Sequence, residues 1–166
     1  GFTDISGKDA EIVLAINQIA ELGITVGKTA TTFAPDDNVT REEMAMFIER
    51  WLENVLAGPG GQSDADGLVA AATTTYVTSD CAAAVACTGK YNYTDIDAGS
   101  VTVEGANAIK ELYDMGIHDG VSATTFNPSS DMTRAAMATF MTAALAHTNA
   151  RPAGLTIQAS LYTNAG

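Results

Sequence analysis

Two arginines stand out as the residues with binding chemistry in this chain. Arg41 lies in Thr40-Arg41-Glu42-Glu43 and Arg134 in Thr133-Arg134-Ala135-Ala136. A guanidinium is a planar fork of donors that can grip a carboxylate or phosphate with two parallel hydrogen bonds. The alternative is scaffolding: the same side chains can pair with Asp4 and Asp95, or with loop carbonyls, and hold an upstream segment onto a helix. Oxygen-rich turns at Asp36-Asp37-Asn38 and at Asp64 and Asp66 could offer calcium ligands, but neither has the spacing and terminal glutamate of an EF-hand. They read first as turn residues that cap backbone groups. Calcium is thus the one ion considered, and no cofactor is expected.

Other reactive types are sparse. His118 and His147 are far apart in sequence, without a paired nucleophile or metal cluster, and are expected at the surface near helix ends. Nothing resembles a nucleophile elbow, a His-Glu-x-x-His zinc helix or a phosphate-binding loop, so the chain is expected not to be an enzyme. Cys81 and Cys87, six apart, match no common zinc pattern, which would need more ligands. A local disulfide in a secreted protein is the expectation, with two buried thiols as the alternative. Met44, Met46, Met137 and Met141 recur at helical spacing, which core packing explains.

The elements that would position the arginines come from an internal repeat. Gly23 and Gly116, Phe33 and Phe126, and Arg41 and Arg134 all match at an offset of 93 residues. The openings Phe2-Thr3-Asp4-Ile5 and Tyr93-Thr94-Asp95-Ile96 match at an offset of 91. Each copy reads as an extended opening, a helix, a glycine-containing loop and a second helix. The first helix has apolar positions Ile12, Val13, Ile16, Ile19 and Ala20 in copy one, and Ala106, Ile109, Leu112 and Tyr113 in copy two. Leu22-Gly23-Ile24 and Met115-Gly116-Ile117 look like Schellman stops. The second helix starts at Thr40 or Thr133, and in copy one Glu43 can close a capping box with Thr40. Its apolar stripe runs Met44, Phe47, Ile48, Trp51, Leu52 and Val55, and in copy two Met137, Phe140, Met141, Ala144 and Leu145.

The resulting organisation is 1–57 for repeat one, 58–92 for an irregular insert, 93–148 for repeat two and 149–166 for a C-terminal extended segment. A unit of this size buries too little surface alone, so units should pack on one another. The 166 residues are 46% apolar with mean hydropathy +0.09, enough for a packed core. A net charge of −12 argues against nucleic acid and anionic membrane surfaces. No apolar run approaches the ~20 residues that span a bilayer. The start at Gly1-Phe2 suggests a processed or partial chain.

The doubled pattern F-x-D-I, A-I-x-x-x-x-x-x-G-I-x-x-G and F-x-P-x-x-x-x-T-R-x-x-M-A-x-F resembles the S-layer homology (SLH) domain over Phe2 to about Asn54 and Tyr93 to about His147. The resemblance implies a mainly α fold of two SLH-like helix–loop–helix repeats packed as a helical bundle. It implies a non-enzymatic, extracellular module that binds cell-wall-linked polysaccharide, often pyruvylated, and anchors proteins to the cell envelope. Carried onto matching positions, it points to Arg41, Arg134, Asp4, Asp95 and Glu42 as glycan- or partner-binding residues. The tryptophan that often follows the family's opening is absent from both copies, where Ser6-Gly7-Lys8-Asp9 and Asp97-Ala98-Gly99-Ser100 stand. The family also usually carries three copies. Both departures favour an alternative: a structural protein of an extracellular assembly, such as a surface layer, filament or virion decoration, whose repeats pack on neighbouring subunits, with a homo-oligomer as one form.

Overall fold

Both copies end their first helix the same way, and the reason is local. Gly23 and Gly116 take φ +75° and +74°, a region that costs a side chain energy and glycine nothing. The chain then turns back: Ile24 N–H donates to Ile19 O at 2.9 Å, and Ile117 N–H to Leu112 O at 2.8 Å. Both isoleucines are buried against the helix they have just left. The second helix of copy one begins with the expected capping box, Thr40 N–H to Glu43 Oε2 at 2.9 Å and Glu43 N–H to Thr40 Oγ1 at 3.2 Å.

The computed structural model describes residues 1–53, 92–97 and 99–147. They form four helices: α1 (Ala10–Glu21), α2 (Arg41–Glu53), α3 (Val103–Asp114) and α4 (Arg134–His147). Among the described residues there is no strand, only isolated bridges such as Thr40 with Asp131. The fold is mainly α, and its helices pack as a bundle. Cys81 and Cys87, Asp64 and Asp66, Val55, nearly all of the insert, and the segment 149–166 lie outside the described residues.

Helix α2 is central. It packs along α3 and also meets α4. Ala45, Ile48 and Leu52 on α2 join Ala106, Ala108, Ile109 and Leu112 on α3, with Phe126, Phe140 and Ala144 closing the cluster. Burying each large side chain here contributes about 1.5–3 kcal/mol. The core therefore belongs to both repeats jointly, as expected of units too small to stand alone.

The equivalent helices of the two copies are not buried equally. On α3, Ala106, Ile109 and Leu112 are fully buried and Tyr113 half-buried. On α1 only Ile16 is buried, and Ile12 is exposed. Met141 on α4 is exposed as well. The periodicity marks these positions as apolar correctly; whether they are covered depends on a neighbouring helix, which α3 has and α1 lacks among the described residues.

His118 departs from its expected place at the surface. It is buried among Tyr93, Tyr113, Phe126 and Phe140, stacked on the last at 5.5 Å between ring centres. Its Nε2 lies 2.9 Å from Ile109 O, and Nδ1 accepts from Gly120 N–H at 3.1 Å. With both nitrogens satisfied it acts as a polar core residue. Burial pushes its pKa down to about 4, against an opposing contribution from the Ile109 carbonyl.

Candidate functional site

The five residues singled out by sequence are placed in three different ways. Asp4 and Asp95 do the same job in their own repeats. The Asp4 carboxylate accepts from Phe33 N–H at 2.9 Å and from Ala34 N–H at 2.8 Å. Asp95 accepts from Phe126 N–H at 3.0 Å and Asn127 N–H at 2.8 Å. Each aspartate thereby fixes a loop whose second residue has positive φ, 60° at Ala34 and 57° at Asn127. Those amide bonds, Phe33's first and Ala34's second, hold the Asp4 carboxyl below its ordinary pKa. Neither aspartate makes a direct ion pair with its arginine among the described residues.

Arg41 crosses from repeat one into repeat two. Its Nε–H donates to Phe126 O at 2.7 Å, and the guanidinium lies 4.6 Å from the Phe126 ring centre and 5.6 Å from that of Phe140. It is buried. Burial lowers its pKa, and the charges of Tyr93 and Asp95 oppose that shift. Phe126 is therefore held on both sides, its N–H by Asp95 and its carbonyl by Arg41. Arg134, the counterpart of Arg41, is exposed and makes no hydrogen bond or ion pair among the described residues.

Glu42 also bridges the repeats. Its Oε1 accepts from Thr102 N–H at 2.8 Å and Thr102 Oγ1–H at 2.7 Å, immediately before α3. Thr102 Oγ1 in turn accepts from Gly105 N–H at 2.9 Å as the helix N-cap. The Glu42 side chain fills the space a Cβ at residue 105 would need, since that atom would sit 2.2 Å from Oε1. Backbone bonds complete the joint: Arg41 N–H to Ser130 O at 2.9 Å, Glu42 N–H to Pro128 O at 3.0 Å and Met132 N–H to Val39 O at 2.8 Å.

Beside this joint, on the repeat-one side, lies a groove of about 350 Å³. Phe33, Val39 and Phe47 give it an apolar wall; Lys28, Asp37, Asn38, Glu43, Arg50 and Thr102 give it a polar rim. Lys28 Nζ meets Glu43 Oε1 at 2.5 Å, and Arg50 Nε–H reaches Glu104 Oε1 at 2.9 Å. The hydrogen bond and charge of Glu43 raise the Lys28 pKa. Sequence reasoning did not single out Lys28, Arg50 or Thr102, and it named Asn38 only within the Asp36-Asp37-Asn38 turn. No local pattern marks the groove, because it is assembled from segments on both sides of the insert. No group of three His, Cys, Asp or Glu side chains is placed to hold a metal among the described residues.

The S-layer homology domain model matches residues 1–45 and 92–138, more than half of the chain and both repeats. The chain belongs to the S-layer homology domain family. SLH domains are non-catalytic anchoring modules that bind cell-wall polymers, so the match associates this chain with the cell surface. An endoglucanase of Bacillus sp. (strain KSM-635) is 28% identical over 117 residues, covering 69% of this chain. The chain spans only 9% of that relative's length. No solved structure matches. Among the described residues, no helix of this SLH chain is long and apolar enough to cross a membrane.

Proposed function

We propose that the groove beside the repeat joint binds a cell-wall-linked polysaccharide and so anchors the protein that carries this module. The observation that carries this reading is the groove itself: an apolar wall with Phe33 and Phe47, and a rim of amide, hydroxyl and charged groups of both signs. Sugars present apolar C–H faces and hydroxyl edges, and a concave site with a few polar groups suits both. Asp4 acts at a distance from the ligand by fixing the loop that carries Phe33. Arg41, Glu42 and Asp95 set the joint that forms the groove's flank. The endoglucanase relative supports the anchoring part of the reading, since the shared region is a small fraction of that protein.

Co-sedimentation with purified wall polysaccharide tests the proposal. The wild-type chain should pellet with the polymer. Lys28→Ala combined with Asn38→Ala should weaken retention about tenfold or more, the equivalent of one lost charge-assisted hydrogen bond. Absence of wild-type retention refutes glycan binding.

A second reading, packing against neighbouring protein subunits in an extracellular assembly, is favoured by the exposed Ile12, Leu14, Leu22 and Val26 on and after α1.

A further inference from the structure

We propose that a second copy of this chain docks head to tail on the first, its α1 seating against α4 of the other copy as α3 seats against α2 within one chain. This deepens the subunit-packing reading and is independent of the glycan reading. The internal joint supplies the template. Glu104, Gly105 and Glu111 on α3 face Arg50, Glu42 and Glu49 on α2. With Ala108 and Met115 they form one stripe along α3, and of these Gly105, Ala108, Glu111 and Met115 are buried.

Shifting that stripe back by the repeat offset gives Glu11, Ile12, Ala15, Gln18 and Leu22. All five are exposed, Ile12 at 43% and Leu22 at 54%. The other half of the joint is bared in the same way. Ala45 and Ile48 on α2 are buried, while their counterparts Ala138 and Met141 on α4 are exposed. One chain thus contains one closed joint and both halves of a second, open one. The open halves lie on different helices, so the contact they make is heterologous.

The two open halves also match at several positions, although Ala143 and Glu11 stand where the closed joint has the Arg50–Glu104 pair. In the closed joint, Glu42 occupies the space left by Gly105. In the open joint the sizes are exchanged, Ala135 on α4 against Ile12 on α1. The closed joint brings the Glu49 and Glu111 carboxyls close enough to disfavour both being charged; the open joint would set Thr142 against Gln18, both uncharged and both exposed. Asn38 Nδ2–H donates to Asp131 Oδ2 at 2.9 Å across the closed joint. These two residues are each other's repeat counterparts, so the same pair meets again with roles reversed. Arg134 supplies the remaining feature. Exposed here, it would take the place of Arg41, with its guanidinium over the Phe33 ring and donating to the Phe33 carbonyl of the second copy.

Light scattering coupled to size-exclusion chromatography tests this on the full chain across a dilution series. The wild type should gain mass with concentration. Ile12→Glu alone and Met141→Glu alone should each be monomeric, since every joint needs one intact α1 face and one intact α4 face and each variant lacks one of the two on every chain. The double variant should be monomeric. A mixture of the two single variants should give a dimer capped at both ends. Leu22→Glu and Ala138→Glu repeat the experiment at neighbouring positions, and circular dichroism confirms retained helix. A wild type that stays monomeric throughout overturns the proposal. Association that survives the double variant also overturns it, while leaving subunit packing through another surface intact. Unchanged polysaccharide retention by the double variant separates the two activities.

Discussion

Arg41→Ala and Arg134→Ala make the same change in the same sequence pattern, and they should differ sharply in cost. Arg41 loses a buried, charge-assisted hydrogen bond of 2.7 Å to Phe126 O. Such a bond contributes about 1.5–3 kcal/mol. It also loses its position over Phe126 at 4.6 Å and Phe140 at 5.6 Å, where a desolvated cation–π contact adds about 1–2 kcal/mol. Burial of the charge opposes both, as the lowered pKa shows. The net loss should be about 2–3 kcal/mol, a drop in melting temperature of roughly 5–12 °C for a chain of this size. Arg134 is exposed and unpaired among the described residues, so its removal should change stability by less than about 0.5 kcal/mol. Thermal and urea unfolding followed by circular dichroism, at protein concentrations low enough to hold the monomer, measure both. Equal losses for the two variants, or an Arg41→Ala protein that melts with the wild type, would refute the placement of Arg41 as the lock of the joint.

Three further outcomes follow from the same geometry. Gly105→Ala should destabilise the wild type by about 1 kcal/mol, because Glu42 must leave Thr102; in a Glu42→Ala background it should stabilise by a similar amount through helix propensity, and additivity in a double-mutant cycle would count against the contact. Asp95→Ala should cost about 2 kcal/mol by leaving the Phe126 and Asn127 amides unpaired, read from urea midpoints, and no change would dismiss the aspartate's capping role. Glu49 is pushed up to about 8 by burial first and then by Glu53, Glu111 and Glu104, against Arg50. Its folded pKa exceeds the ordinary 4.5, so the folded state holds a proton that the unfolded state releases, and stability falls as pH rises between those values. Glu49→Gln should match the wild type near the lower value and exceed it by about 1–2 kcal/mol above the upper one; parallel pH profiles for the two proteins would contradict this.

The sequence alone determined what closes within a few residues. Thr40 and Glu43 form their capping box, and Gly23 and Gly116 stop their helices, because both partners of each hydrogen bond lie in one turn. The repeat was legible for the same reason: matching local signals at fixed spacing identify a unit wherever it occurs. Helix type and the apolar positions followed from that. Tertiary structure decided which apolar positions are covered and what the polar groups meet. Ile12 and Gly105 occupy equivalent places, yet only the second lies under α2. Arg41 and Arg134 share a motif, yet one is buried between repeats and the other faces outward. His118, with no local signal, lies in an aromatic core contributed by Tyr93, Phe126 and Phe140. A motif states which donors and faces a segment offers. The partner each one meets depends on which segment, distant in sequence, packs beside it.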